Sequence, residues 1–183
     1  MLFPLKFLPK ESYKEAPRHF GARRSKGKRK HAGCDLYAPV GTPIFAVADG
    51  VVLDFYEFYL ESWALEVDHG DFVVRYGEVK KTLPAGVKKG AKVFAGQHIA
   101  NVGVLQGLKL SMLHFEMYAG TAKGALTQKG NPPYQRRSDL MDPTPYLDSA
   151  RMFGVTAFNP CVFLPGMSKA NFGFTAGMGL YPE

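Results

Sequence analysis

Two stretches of the chain carry residue types that can hold a metal ion. The first is Ser111-Met112-Leu113-His114-Phe115-Glu116-Met117-Tyr118, and the second is the pentad His31-Ala32-Gly33-Cys34-Asp35. The first contains no Gly or Pro and alternates side-chain faces, so it reads as a β-strand. With a period of two, Met112, His114 and Glu116 share one face, and Leu113, Phe115 and Met117 share the other. One imidazole from this strand, joined by a second imidazole and a carboxylate from the pentad, completes a His/His/Asp zinc site. Its fourth position stays open for water or substrate, as a catalytic zinc requires.

The elements that must position these groups are short strands. Asp35-Leu36-Tyr37-Ala38 and Ile44-Phe45-Ala46-Val47-Ala48 flank a Pro/Gly turn, and Asp49-Gly50 reads as a tight hairpin before Val51 to Tyr56. Trp63 to Asp68 makes a further strand, closed by His69-Gly70-Asp71, and a strand from Phe72 to Val79 returns antiparallel. About seven such strands without a convincing amphipathic helix predict an all-β fold, mainly antiparallel, as an open sheet, sandwich or barrel. Residues 124–137 are turn-rich and read as a long surface loop, and Asp142 to Leu147 as an extended segment returning to the core.

The 183 residues suffice for one well-buried core and fall short of two independent domains. A hydrophobic content of 46% with 21% charged residues suits a folded globular chain, which argues against disorder. Two cysteines, Cys34 and Cys161, are too few for a disulfide framework. In a strand, Cys34 points away from Asp35 and reads as a small buried thiol.

The net charge of +7 favours acidic partners such as cell-wall polymers or anionic lipid. The run Ser25-Lys26-Gly27-Lys28-Arg29-Lys30 divides evenly between a solvated loop and an anion-binding role. No aromatics interleave with its charges, so no nucleic-acid partner is expected. The apolar start at Met1 to Lys10 is short and broken by two prolines, so no signal peptide is expected. No stretch reaches the roughly 20 apolar residues of a membrane span.

The ordered combination of these motifs is specific. His31-x-x-x-Asp35 is followed by Ala-Pro-x-Gly-Thr-Pro-x-x-Ala-Val-Ala-Asp-Gly from Ala38 to Gly50. Val-x-x-Gly-x-x-Val-x-x-Gly-Gln-x-Ile-Ala then runs from Val87 to Ala100, and Leu-His-Phe-Glu closes the series at Leu113 to Glu116. Over residues 18–147 the chain thereby resembles the lysostaphin/LytM family of zinc metallopeptidases. The resemblance implies an antiparallel β fold and cleavage of peptide cross-links in bacterial peptidoglycan. It also implies one zinc ion held by His31, Asp35 and His114. On this reading residues 1–17 are a lead-in, residues 18–147 the peptidase domain, and residues 148–183 a tail packed on it.

Two positions depart from the family pattern. Met112 stands where the family has the first histidine of a His-x-His pair, and Glu78 stands where it has a histidine in a Tyr-Ala-His-Leu-like segment. A thioether neither donates a hydrogen bond nor takes a useful proton, which leaves Met112 only a substrate contact. Glu78 is different: a carboxylate beside acidified water is a well-used general base, and it is assigned that catalytic role. Its bland alternative is an exposed strand carboxylate beside Arg75 or Lys80. Parity places Val74, Tyr76 and Glu78 on one face. Arg18, His19, Arg23 and Tyr76 are the remaining candidates for contacting substrate or stabilising an oxyanion.

The expected function is zinc-dependent peptidoglycan endopeptidase action. A non-catalytic member of the fold that binds zinc or wall peptides and regulates another hydrolase is the alternative. The expectation for location is synthesis in the cytoplasm and action on the wall after delivery by a phage particle or secretion system.

Overall fold

The computed structural model describes residues 1–152. It is nearly all β, with strands β1 (Arg23–Arg24), β2 (Arg29–Lys30), β3 (Cys34–Tyr37), β4 (Pro43–Phe45), β5 (Gly50–Glu57) and β6 (Trp63–Asp68). After these come β7 (Val73–Val79), β8 (Lys92–Val93), β9 (His98–Asn101), β10 (Met112–Tyr118), β11 (Leu140–Met141) and one short helix, α1 (Thr144–Ser149). All named pairings are antiparallel.

The main sheet runs β11-β10-β7-β6-β5-β8, with β3 also paired to β10. Strand β10 is therefore an axis: β7 lies along one edge, and β3 and β11 share the other. Every residue of β7 and β10 is buried. One face of the sheet packs Val74, Tyr76, Leu113, Phe115 and Met117 into the core with Leu36 and Cys34. The smaller β4-β9 pair contributes Ile44, Ile99 and Ala100 to that core.

Three local expectations are corrected. Asp49-Gly50 is not a hairpin turn, because β4 pairs with β9 and β5 pairs with β6 and β8. Ala46 instead exchanges backbone hydrogen bonds with Gly96 and Gln97. The stretch Asp142 to Leu147 is not extended: α1 starts after Pro143, whose fixed φ suits a helix start, and it buries Leu147. The turn-rich segment 124–137 is more than surface loop, since it buries Leu126 against Val73 and Tyr118.

The lead-in is laced into the sheet. Leu2 donates its N–H to the Val47 carbonyl, Phe45 donates to the Pro4 carbonyl, and Leu2 bridges Arg151. Phe3, Leu5 and Tyr13 belong to the same buried cluster as the central strands. The expected tail and its aromatic residues from Phe153 onward lie outside the described residues.

Candidate active site

Register decides which side chains meet. Across β3 and β10, Asp35 lies directly opposite His114 and Cys34 opposite Phe115. Directly opposed residues point to the same face, so His114 and Asp35 converge above the sheet while Cys34 enters the core below. Asp35 Oδ1 sits 2.8 Å from His114 Nδ1.

His31 reaches the same point from the loop before β3. The segment lies so close to β10 that a Cβ on Gly33 would come 2.4 Å from the Phe115 carbonyl oxygen. Only glycine permits that approach. His31 Nε2 is then 3.0 Å from Asp35 Oδ1 and 3.1 Å from His114 Nδ1.

The other nitrogen of each ring is already committed. His31 Nδ1 donates to the His19 carbonyl at 2.9 Å, and His114 Nε2 donates to Glu116 Oε1 at 2.8 Å. Each proton so placed leaves a ring lone pair facing Asp35. Two imidazole lone pairs and a carboxylate oxygen at this separation repel unless a cation lies between them. In the metal-free protein a proton serves. Burial alone disfavours charge on His114, but its hydrogen bonds to Asp35 and Glu116 outweigh that and raise its pKa to about 10.

Burial pushes the Asp35 pKa up, yet hydrogen bonds from His114 and His31 hold it well below the usual carboxylate range. Burial, with the neighbouring His114 charge, lowers the His31 pKa against the opposing hydrogen bond to Asp35. The donor atoms of His31, Asp35 and His114 all lie within 4.8 Å of one another, as a metal site requires. The short separations are close to the roughly 3.3 Å edge of a tetrahedron with zinc bonds of about 2.0–2.1 Å. Two neutral nitrogens and one carboxylate are a donor set that zinc takes readily.

Supporting groups are more numerous than sequence reasoning found. Glu116 is fully buried and accepts from His114, Arg75, Arg136 and Tyr118. Arg75 also donates to Glu66, and Tyr56 donates to the same carboxylate. Burial pushes the Glu116 pKa up, but Arg75 and His114 hold it far below the ordinary value. A charge-paired scaffold thus fixes the His114 ring. The available signal was the two-residue spacing of His114 and Glu116 on one strand face. Arg24 occupies the second oxygen of Asp35 at 3.2 Å.

Glu78 reaches the site by an irregularity. Along β6 and β7 the pairing steps from Trp63↔Val79 to Leu65↔Tyr76, which places one extra residue on β7. Glu78 adopts φ +63°, a left-handed conformation uncommon outside glycine. Parity alone puts Tyr76 and Glu78 on one face; the bulge separates them. Glu78 lines the same cavity as the triad, while Tyr76 packs edge-on against Phe115 below the sheet.

The Glu78 carboxylate is buried, and its Oε2 has no hydrogen-bond partner among the described residues. Burial, augmented by the Asp35 charge, pushes its pKa up to about 7 against the opposing pull of His114. It is not the exposed strand carboxylate of the bland alternative.

The cavity encloses about 570 Å³ and takes in His31, Asp35, Glu78, Met112 and His114. The other expected contacts are placed elsewhere. Tyr76 is fully buried, with its hydroxyl bonded to the Val47 N–H and to His69, so it cannot meet a substrate. Arg18, His19 and Arg23 do not line the cavity. Arg18 stacks on Tyr37, and its carbonyl accepts from the Asp35 N–H. His19 acts through its backbone carbonyl on His31, and Arg23 lies exposed on β1.

An antiparallel sheet that carries two imidazoles and a carboxylate into one open cavity has the architecture of the lysostaphin/LytM peptidases. The model of peptidase family M23 matches residues 29–127, more than half of this chain and inclusive of His31, Asp35, Glu78 and His114. The chain belongs to peptidase family M23.

Peptidoglycan DD-endopeptidase ShyA of Vibrio cholerae is 34% identical over 88 residues, which cover 48% of this chain and 20% of that protein. ShyC of the same organism is 33% identical over 89 residues, again 20% of its length. The chain thus aligns with about a fifth of the curated relatives it matches.

Among solved structures, the catalytic domain of lysostaphin from Staphylococcus simulans superposes with a TM-score of 0.54 at 22% identity, covering 72% of this chain and 90% of that one. LytU superposes with a TM-score of 0.55 at 25% identity, covering 75% and 86%. These likenesses bear out the fold expected from the motifs.

Proposed function

We propose that this chain is a zinc-dependent endopeptidase that hydrolyses peptide cross-links of bacterial peptidoglycan, with Glu78 as general base. One observation carries the reading. Two imidazoles locked by outer hydrogen bonds and the Asp35 carboxylate converge in a cavity, beside the buried Glu78 carboxylate, whose Oε2 has no hydrogen-bond partner among the described residues. The DD-endopeptidase activity of the relatives in its name supports the substrate class.

When bound by His31, Asp35 and His114, zinc supplies Lewis acidity that polarises a carbonyl and acidifies water. The remaining work belongs to the chain. Glu78 takes the proton of the attacking water and returns it to the departing amine, a role suited to a carboxylate with pKa near 7. Arg24 draws off charge from Asp35 and fixes its orientation, and Glu116 does the same for His114. Met112 contributes apolar wall where a polar partner is not needed.

The test is digestion of purified peptidoglycan with and without a chelator, with products identified by mass spectrometry. New amines at the cross-link, lost on chelation, are the expected result. Glu78→Gln should lower cleavage by roughly 10²- to 10⁴-fold while zinc stays near one ion per chain. Full activity in that variant removes Glu78 from the mechanism. Cleavage that survives complete metal removal removes zinc.

A further inference from the structure

The cavity is electrically lopsided in a way the hydrolytic centre does not use. Its cations are Arg24 on β1, Arg29 and Lys30 on β2, and Lys129 and Arg136 in the segment 124–137. Arg136 is spent on Glu116. Arg29, Lys30 and Lys129 have no carboxylate partner among the described residues, and Arg29 Nε is buried without any hydrogen bond. Of the cavity's carboxylates, Asp35 is taken by Arg24 and the two histidines, and neither Glu57 nor the proposed base Glu78 forms an ion pair with these cations among the described residues.

This wall is held in place. Lys30 donates its N–H to the Pro133 carbonyl at 2.9 Å, and Tyr134 stacks on Phe20 with ring centres 4.9 Å apart. Arg29 and Lys30 directly precede His31 in the chain, and Arg136 bonds Glu116 beside His114, so this wall adjoins the candidate metal site. Tyr56 and Glu57 at the end of β5 and Phe58 and Tyr59 just after it add a largely aromatic wall, with Phe58 stacked on the His114 ring at 6.0 Å between centres. A guanidinium with a buried, unsatisfied Nε–H, in a cavity also lined by the unpaired Lys129, suits an anionic acceptor.

We propose that Arg29 and Lys129 form a subsite for a free carboxylate on the peptide residue next to the scissile amide. The enzyme would then select acidic cross-links over uncharged ones. The proposal rests on the peptidase reading and supplies its substrate class. The aromatic wall takes the apolar part of the peptide, and the cationic wall fixes its register over the triad.

The experiment uses three synthetic peptides of one sequence. The first has a free carboxylate beside the cross-link, the second a carboxamide there, and the third carries the carboxylate at its distal end instead. Binding to zinc-loaded Glu78→Gln protein is measured by fluorescence anisotropy. The first peptide should bind at least about tenfold more tightly than the other two. In the Arg29→Gln/Lys129→Gln variant made in the same background, the three should bind alike. Both substituted side chains lie at the cavity wall outside the core, and a thermal melt checks that the fold survives.

Equal binding of all three peptides by the Glu78→Gln protein overturns the subsite. So does tight binding of the distal carboxylate, which reports only the attraction of a basic protein, and so does discrimination that persists in the doubly substituted variant. Discrimination without cleavage of any peptide by the wild-type enzyme leaves the subsite standing and refutes the peptidase reading instead.

Discussion

Glu78 is an expensive residue to keep. Its carboxylate is buried, lacks a hydrogen bond at Oε2, and stands on a left-handed backbone. Such features cost of order 1–3 kcal/mol each and persist at functional sites. The cost depends on pH. The pKa of Glu78 is near 7 in the folded chain against 4.5 when solvated, so between these values the folded state binds more protons than the unfolded one. The stability contributed by this group therefore falls as pH rises through that window and stays low above it. Between pH 5 and pH 8 the metal-free wild type should lose up to roughly 3 kcal/mol that Glu78→Gln does not lose. Urea unfolding of both proteins at both pH values checks this; parallel pH profiles would refute it.

At the scale of elements, the site is an affair of register. Parity along β10 already shows that His114 and Glu116 share a face, and parity along β3 that Cys34 and Asp35 part. The structure keeps both, because those strands pair without interruption. Parity fails on β7, where the extra residue reverses Glu78 relative to Tyr76, and no local pattern announces a bulge. The bonds from Arg75 and Arg136 to Glu116 were equally illegible, since they join strands and loops far apart in the chain.

Two substitutions probe these elements. Glu116→Gln removes the buried charge that pairs with Arg75 and Arg136 and releases the His114 ring. It should cost roughly 3–5 kcal/mol in stability and about 10- to 100-fold in zinc affinity. Urea unfolding and competition with a chromophoric chelator measure the two effects separately, and unchanged zinc affinity would deny Glu116 its orienting role. Gly103 donates its N–H to the Glu78 carbonyl at 2.8 Å, and a Cβ there would lie 2.7 Å from the Val79 carbonyl. Gly103→Ala should displace the Glu78 backbone, lowering kcat while leaving zinc affinity intact, because the three proposed ligands lie on other segments. Zinc titration alongside steady-state kinetics distinguishes the outcomes.

Across the whole molecule, the chain's beginning proves structural. Nothing periodic in Met1 to Lys10 marks Phe3 and Leu5 as core residues, because the segment is held by Leu2 on Val47 and Phe3 on Arg151, partners remote in sequence. Phe3→Ala should destabilise the protein by about 3–5 kcal/mol, as for other buried aromatics. An unfolding midpoint unchanged from wild type would show that this segment packs only loosely. The fold class, by contrast, was open to reading, because strand alternation and the ordered motifs are local properties of the chain.

The position of β10, hemmed by β7 on one side and by β3 and β11 on the other, ties catalysis to survival of the sheet. Deuterium reaches the amides around His114 only when neighbouring strands part, so they should be among the last in the protein to exchange. Heat cannot then disarm this centre while sparing its surroundings, and the curves for thermal inactivation and for loss of β structure should overlay.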